Sequence, residues 1–98
     1  MSVDTFLGLP MNIMSYGALL LILAKLTNYH PGILIGHLDD VHIYENHLSQ
    51  VEEQLIRQPF SPPKLIIRDG ITIDSLSHED FTLVGYECHP AIKAPMAV

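Results

Sequence analysis

Apolar positions are dense early in the chain and become periodic later. From Met11 to Thr27 the sequence lacks proline and is rich in Leu, Ile, Met and Ala. That stretch predicts a helix, with Pro10 at its first position, where a missing N–H costs nothing. Gly17 is the one weak helix former inside it. Asn28 and the His30-Pro31-Gly32 group should end it. The helix is apolar nearly all round, which predicts burial on several sides. Its most apolar run, Ala18 to Ala24, is followed at once by Lys25. A membrane span needs about 20 apolar residues, so this run reads as a core helix and no membrane anchor is expected. A secretory signal would carry a basic start, but the first fifteen residues hold Asp4 and no Lys or Arg.

Further along, the period changes. Ile33 to Tyr44 reads as a strand. Near its end Val41 and Ile43 fall on one face, and Asp40, His42 and Tyr44 on the other. Asn46 is a candidate cap for a second helix running to about Ile56, with Leu48, Val51 and Leu55 as its apolar stripe. Gln58 to Pro63 is a stiff proline-rich connector. Lys64 to Ile67 reads as a short strand, Asp69-Gly70 as a turn, and Asp74 to Asp80 as a short helical segment. Phe81 to Tyr86 alternates as another strand. The tail, Glu87 to Val98, should run irregularly.

Composition narrows the class. The chain has 98 residues, enough for one small domain. It is 48% hydrophobic and 16% charged, so it is neither disordered nor fibrous. Five Lys+Arg against 11 Asp+Glu give a formal charge of -6. Sequence-independent nucleic-acid binding needs a basic footprint, which this balance lacks. A single cysteine, Cys88, excludes an internal disulfide and fits a reducing, cytoplasmic setting.

Several groups of residues are candidates for chemistry. His37, Asp39, Asp40, His42, Glu45 and His47 lie close in sequence. Their spacing is poor for a metal, because His47 lies in the next helix, beyond the strand that carries His42. A solvated acidic edge with one core histidine is the plainer reading. The Asp40, His42 and Tyr44 face suits a sugar hydroxyl, since imidazole and phenol both exchange hydrogen bonds without needing charge. Ser2 to Asn12, a polar start with a glycine turn and an asparagine at a helix opening, resembles a ligand-binding loop. Asn12 is either a helix-terminus residue or an amide that reads the edge of a pyrimidine. Cys88 beside His89 invites a nucleophile reading. Adjacent residues of an extended segment point to opposite sides, so an inert cysteine is favoured.

Taken together, these segments resemble the C-terminal part of thymidylate synthase. Ser2-Val3-Asp4-Thr5-Phe6-Leu7-Gly8-Leu9-Pro10-Met11-Asn12-Ile13 is similar to the family's serine-x-aspartate and LG-x-P-F-N-I segment. Asp40-Val41-His42-Ile43-Tyr44-Glu45-Asn46-His47 is similar to its D-x-H-x-Y-x-N-H block. Arg57-Gln58-Pro59, Pro63-Lys64-Leu65, Glu79-Asp80-Phe81, Gly85-Tyr86, His89-Pro90 and Ile92 to Val98 follow in the family's order.

The resemblance implies an α+β fold, a mixed β-sheet packed against helices, in a homodimeric family. It implies reductive methylation of dUMP to dTMP with 5,10-methylenetetrahydrofolate as co-substrate. Ser2 would contact the phosphate, Asn12 the uracil, and His42 and Tyr44 the deoxyribose hydroxyl, with Asp40 supporting that strand. Asp4, Leu7 and Gly8 would line the folate side, and the tail ending at Ala97 and Val98 would close over it. The family's nucleophilic cysteine belongs to a Pro-Cys-His segment upstream of this match. Met1 stands where the family has a phosphate-binding arginine, Asp39 where glycine is usual, and Met11 where an aromatic residue is usual. Residues 1–98 are therefore expected to be the C-terminal part of a thymidylate synthase domain and not a complete one, inactive without an upstream half. The alternatives are part of a related dUMP or dCMP hydroxymethylase, a non-catalytic remnant, or a complementing subunit. The isolated chain is expected to be poorly soluble or partly folded.

Overall fold

A computed structural model describes residues 2–96. Ala97 and Val98, assigned above to a closing lid, lie outside the described residues. The element order is β1 (Ser2–Asp4), α1 (Leu9–Thr27), β2 (Asp40–His42), a short 3-10 turn (Glu45–His47), α2 (Leu48–Leu55), β3 (Lys64–Ile67), a second 3-10 turn (His78–Asp80) and β4 (Phe81–Val84). One ladder is parallel, β1 with β2, and the other antiparallel, β3 with β4. The class is the α+β arrangement expected. The chain divides into two compact units.

The first unit comprises residues 2–15, Ile35–Pro59 and 89–96. Its parallel ladder departs from the loop expected over Ser2 to Asn12, since β1 finds its partner in β2. The long strand expected over 33–44 is reduced to β2. Backbone pairing lasts only as long as the partner strand, and β1 is three residues long. Asn46 is not a cap. Tyr44 precedes the 3-10 turn and His47 precedes α2, neither with a side-chain capping bond. The Leu48 and Leu55 stripe faces outward, with both residues exposed.

The second unit comprises Tyr16–Leu34 and Phe60–Cys88. α1 ends as expected at Asn28, which takes a left-handed conformation with φ 58°. The Tyr29 N–H then reaches back to the Ala24 carbonyl at 2.9 Å, the six-to-one bond that closes a helix end. β3 occupies the residues foreseen, and its burial alternates as a strand should. β4 stops at Val84, short of Tyr86, because Gly85 turns the chain at φ 72°. The helical segment expected over 74–80 is split. Thr72 and Ser75 exchange side-chain and backbone bonds around a turn. Ser77 and Asp80 then form a reciprocal capping box on the 3-10 turn. Asp80 is buried and pairs with Arg68.

The burial expected for α1 does not occur within this chain. Only Ala24 is buried, while Met11, Ile13, Met14, Tyr16, Leu19 and Leu23 are exposed. An apolar helix is buried only where other elements cover it, and no described element covers those faces. By length and composition alone, its 19 residues suffice to cross a membrane.

Candidate functional site

The site starts from the register of the parallel ladder. Ser2 lies opposite Asp40, Val3 opposite Val41, and Asp4 opposite His42. Side chains of a strand alternate, so Ser2, Asp4, Asp40 and His42 share one face and the valines the other. The ladder is extended by Thr5, which donates to the His42 carbonyl from its N–H at 3.1 Å and from its hydroxyl at 2.8 Å. The Tyr44 ring meets the His42 ring edge-on, with centroids 4.7 Å apart. Both are half-buried, whereas Ser2 and Asp40 are exposed. The His42 and Tyr44 rings thus lie in contact, with Ser2 and Asp4 of β1 on the same face as His42.

Asp4 shapes the chain after β1. One carboxylate oxygen accepts from the Phe6 and Leu7 N–H groups at 3.1 and 3.2 Å. The Gly8 N–H donates to the Asp4 carbonyl at 3.1 Å. A Cβ on Gly8 would sit 3.2 Å from that carbonyl oxygen, so the turn is tightest where the residue has no side chain. α1 begins at the next residue, and the Asn12 N–H donates to the Gly8 carbonyl at 3.1 Å. Asn12 therefore stands in the first helical turn with its side chain exposed. Leu7 and Gly8 are half-buried beside Asp4.

Behind the strand face lies a residue that pattern reading did not assign to the site. His47 is fully buried. Its ring stacks obliquely on Phe6, with centroids 5.7 Å apart, and edge-on to Tyr44 at 5.5 Å. Nε2 donates to the Pro95 carbonyl at 2.6 Å, since a carbonyl can only accept. Nδ1 has no hydrogen-bond partner and lies 3.9 Å from an Asp4 carboxylate oxygen. His47 is thus the core histidine of the acidic segment. Thr5 was missed as well, because its role depends on a partner across the parallel ladder.

Cys88 belongs to the second unit and is exposed. The Tyr86 phenol beside it is raised above its ordinary pKa, first by a side-chain hydrogen bond with Cys88 and then by the charge of that group. His89 is engaged elsewhere, with Nε2 donating to the Gln58 carbonyl at 2.8 Å.

The sequence model of the family described as thymidylate synthase matches residues 1–98. The chain belongs to the thymidylate synthase family. It is 53% identical over 96 residues to thymidylate synthase of Mycoplasma mobile, covering 97% of this chain and 33% of that protein. It is 45% identical over 97 residues to thymidylate synthase of Staphylococcus haemolyticus, covering 99% of this chain and 30% of that protein. A solved structure, the thermostable thymidylate synthase A from Bacillus subtilis, superimposes with a TM-score of 0.93 at 30% identity. That match covers 99% of this chain and 35% of the solved one. The chain thus spans about a third of the length of the thymidylate synthases it matches.

Proposed function

We propose that residues 2–12 and 40–44 form the nucleotide-facing and folate-facing part of a thymidylate synthase, which makes dTMP from dUMP. The observation that supports this most is the β1–β2 register. It brings Ser2 and Asp4 onto the same face as His42, with the Tyr44 ring alongside. In this reading Ser2 contacts the phosphate, Asn12 the uracil edge, and His42 and Tyr44 the deoxyribose hydroxyl. Asp4, Leu7 and Gly8 face the folate, and Ala97 and Val98 close over it. The donor set suits a folate ring. Asp4 is a carboxylate pinned through one oxygen and still 24% exposed, able to accept ring N–H groups.

When bound, 5,10-methylenetetrahydrofolate supplies the one-carbon unit and the hydride that reduces it. The chain's residues bind and orient the nucleotide, holding C5 of the base toward that carbon. Covalent activation of C6 requires a thiolate, which an upstream Pro-Cys-His segment supplies in this reading. The site is that of a cytoplasmic, homodimeric enzyme.

The test is release of tritium from C5-labelled dUMP. The chain alone is expected to give none. Co-expressed and co-purified with an upstream portion carrying Pro-Cys-His, it is expected to release tritium and form dTMP. Turnover by the chain alone, or none in the assembled protein, would overturn the reading. Hydroxymethyl product would replace it with the hydroxymethylase.

A further inference from the structure

The segment after β4 does not simply trail away. In the first unit its carbonyl groups are held, one after another, by side chains from the 3-10 turn, α2 and the turn that ends α2. His47 Nε2 donates to the Pro95 carbonyl at 2.6 Å. Gln50 Nε2 donates to the Lys93 carbonyl at 3.4 Å. Arg57 Nη1 donates to the Pro90 carbonyl at 2.6 Å, while Nη2 is held by Glu53 at 2.8 Å. As the donors ascend in sequence the acceptors descend, so the tail runs antiparallel to α2 along a ladder of side-chain donors.

Two of these acceptors are proline carbonyls. Proline has no N–H, so its carbonyl is the backbone's one hydrogen-bonding group there. Its fixed φ also lowers the entropy lost when the tail is ordered. The rungs are not equivalent. Gln50 and Arg57 lie nearer the surface, but His47 is fully buried. His47 also faces two elements, with Nε2 on the tail and Nδ1 3.9 Å from Asp4. Phe6, from the turn that Asp4 organises, packs against the same ring.

We infer that His47 is a positioning residue, the buried end of a His47, Gln50 and Arg57 ladder that seats the tail beside the Asp4 turn. The inference rests on the reading of Asp4 as folate-facing, and deepens it by naming what aligns the tail with that side of the site. His47 acts through the Pro95 carbonyl and need not touch substrate.

The test uses a complete protein, in which these 98 residues replace the matching segment of Mycoplasma mobile thymidylate synthase. His47→Leu removes the donor, and His47→Gln keeps a donor at the Nε2 position. Hydrogen exchange of the tail amides from Ala91 to Met96 is read beside the KM for each substrate. His47→Leu is expected to speed tail exchange and raise the folate KM by about tenfold, as loss of one buried hydrogen bond predicts, with the dUMP KM little changed. His47→Gln is expected to stay within about threefold of the parent on both measures. An unchanged tail and folate KM in His47→Leu would overturn the inference. So would a His47→Gln as impaired as His47→Leu, since ring packing alone would then explain the residue. If His47→Leu does not fold, Arg57→Met decides. Faster exchange confined to the tail supports the ladder, and parental exchange overturns it. Tail exchange needs no turnover, so an inactive parent would defeat the functional reading while the seating is still measured.

Discussion

Thr5 donates twice to one carbonyl, that of His42, and so fixes the depth at which β2 presents its imidazole. Thr5→Val keeps the shape and the N–H bond but loses the hydroxyl bond. It is expected to cost about 1 kcal/mol in chemical denaturation of the assembled protein, the usual net worth of one such bond. If His42 holds the sugar, the dUMP KM should rise by a few-fold while the folate KM does not. At this scale the sequence was legible where chemistry is local. His42 and Tyr44 alternate with Val41 and Ile43, and that period alone puts the polar pair on one face. Thr5 and His47 were not legible, because their partners lie 37 and 48 residues away. Asn46 misled because a polar residue before an apolar stripe is a valid cap signal. A tight turn centred on Glu45–His47 displaced it.

Elements were legible where their ends carry strong backbone signals. Asn28 closes α1, and Gly85 ends β4 earlier than alternation alone suggested. The strand over 33–44 was overread because alternation reveals a face but not the length of its partner. In the second unit Lys25, in the last turn of α1, pairs with Asp69 in the turn after β3. The hydrogen bond and the charge of Lys25 lower the Asp69 carboxyl below its ordinary pKa. A depressed carboxyl stabilises the fold above its unfolded pKa, and that contribution is lost as pH falls through the folded value. Asp69 is almost wholly exposed, so solvent screens the pair and its effect on stability is small. The direct check is an NMR titration of Asp69. Lys25→Met is expected to return its midpoint upward to the ordinary carboxylate range, and an unmoved midpoint would refute the pairing.

On the scale of the whole molecule, surface area decides the behaviour of the isolated chain. A folded monomer of 11.0 kDa exposes about 5,600 Å². This chain exposes 8270 Å², with many large apolar side chains among it. The 98 residues alone are therefore expected to be poorly soluble and to melt without a sharp transition, by calorimetry or circular dichroism. A cooperative transition of a monomer would contradict this. The apolar character of α1 was plain in the sequence, but what covers it was not, since burial depends on neighbours that no pattern within the helix encodes.

The parallel ladder carries one more implication, for the order in which the chain opens. Joining residues 2–4 to 40–42 closes a long loop and returns only a short run of backbone bonds. The β3–β4 pair closes a much shorter connection and gains a longer ladder. Contacts that span many residues for few bonds form late and break first. The face bearing Ser2, Asp4 and His42 is thus the less protected of the two described ladders, and a molecule that bridged its two strands would act as the staple the ladder itself is too short to provide.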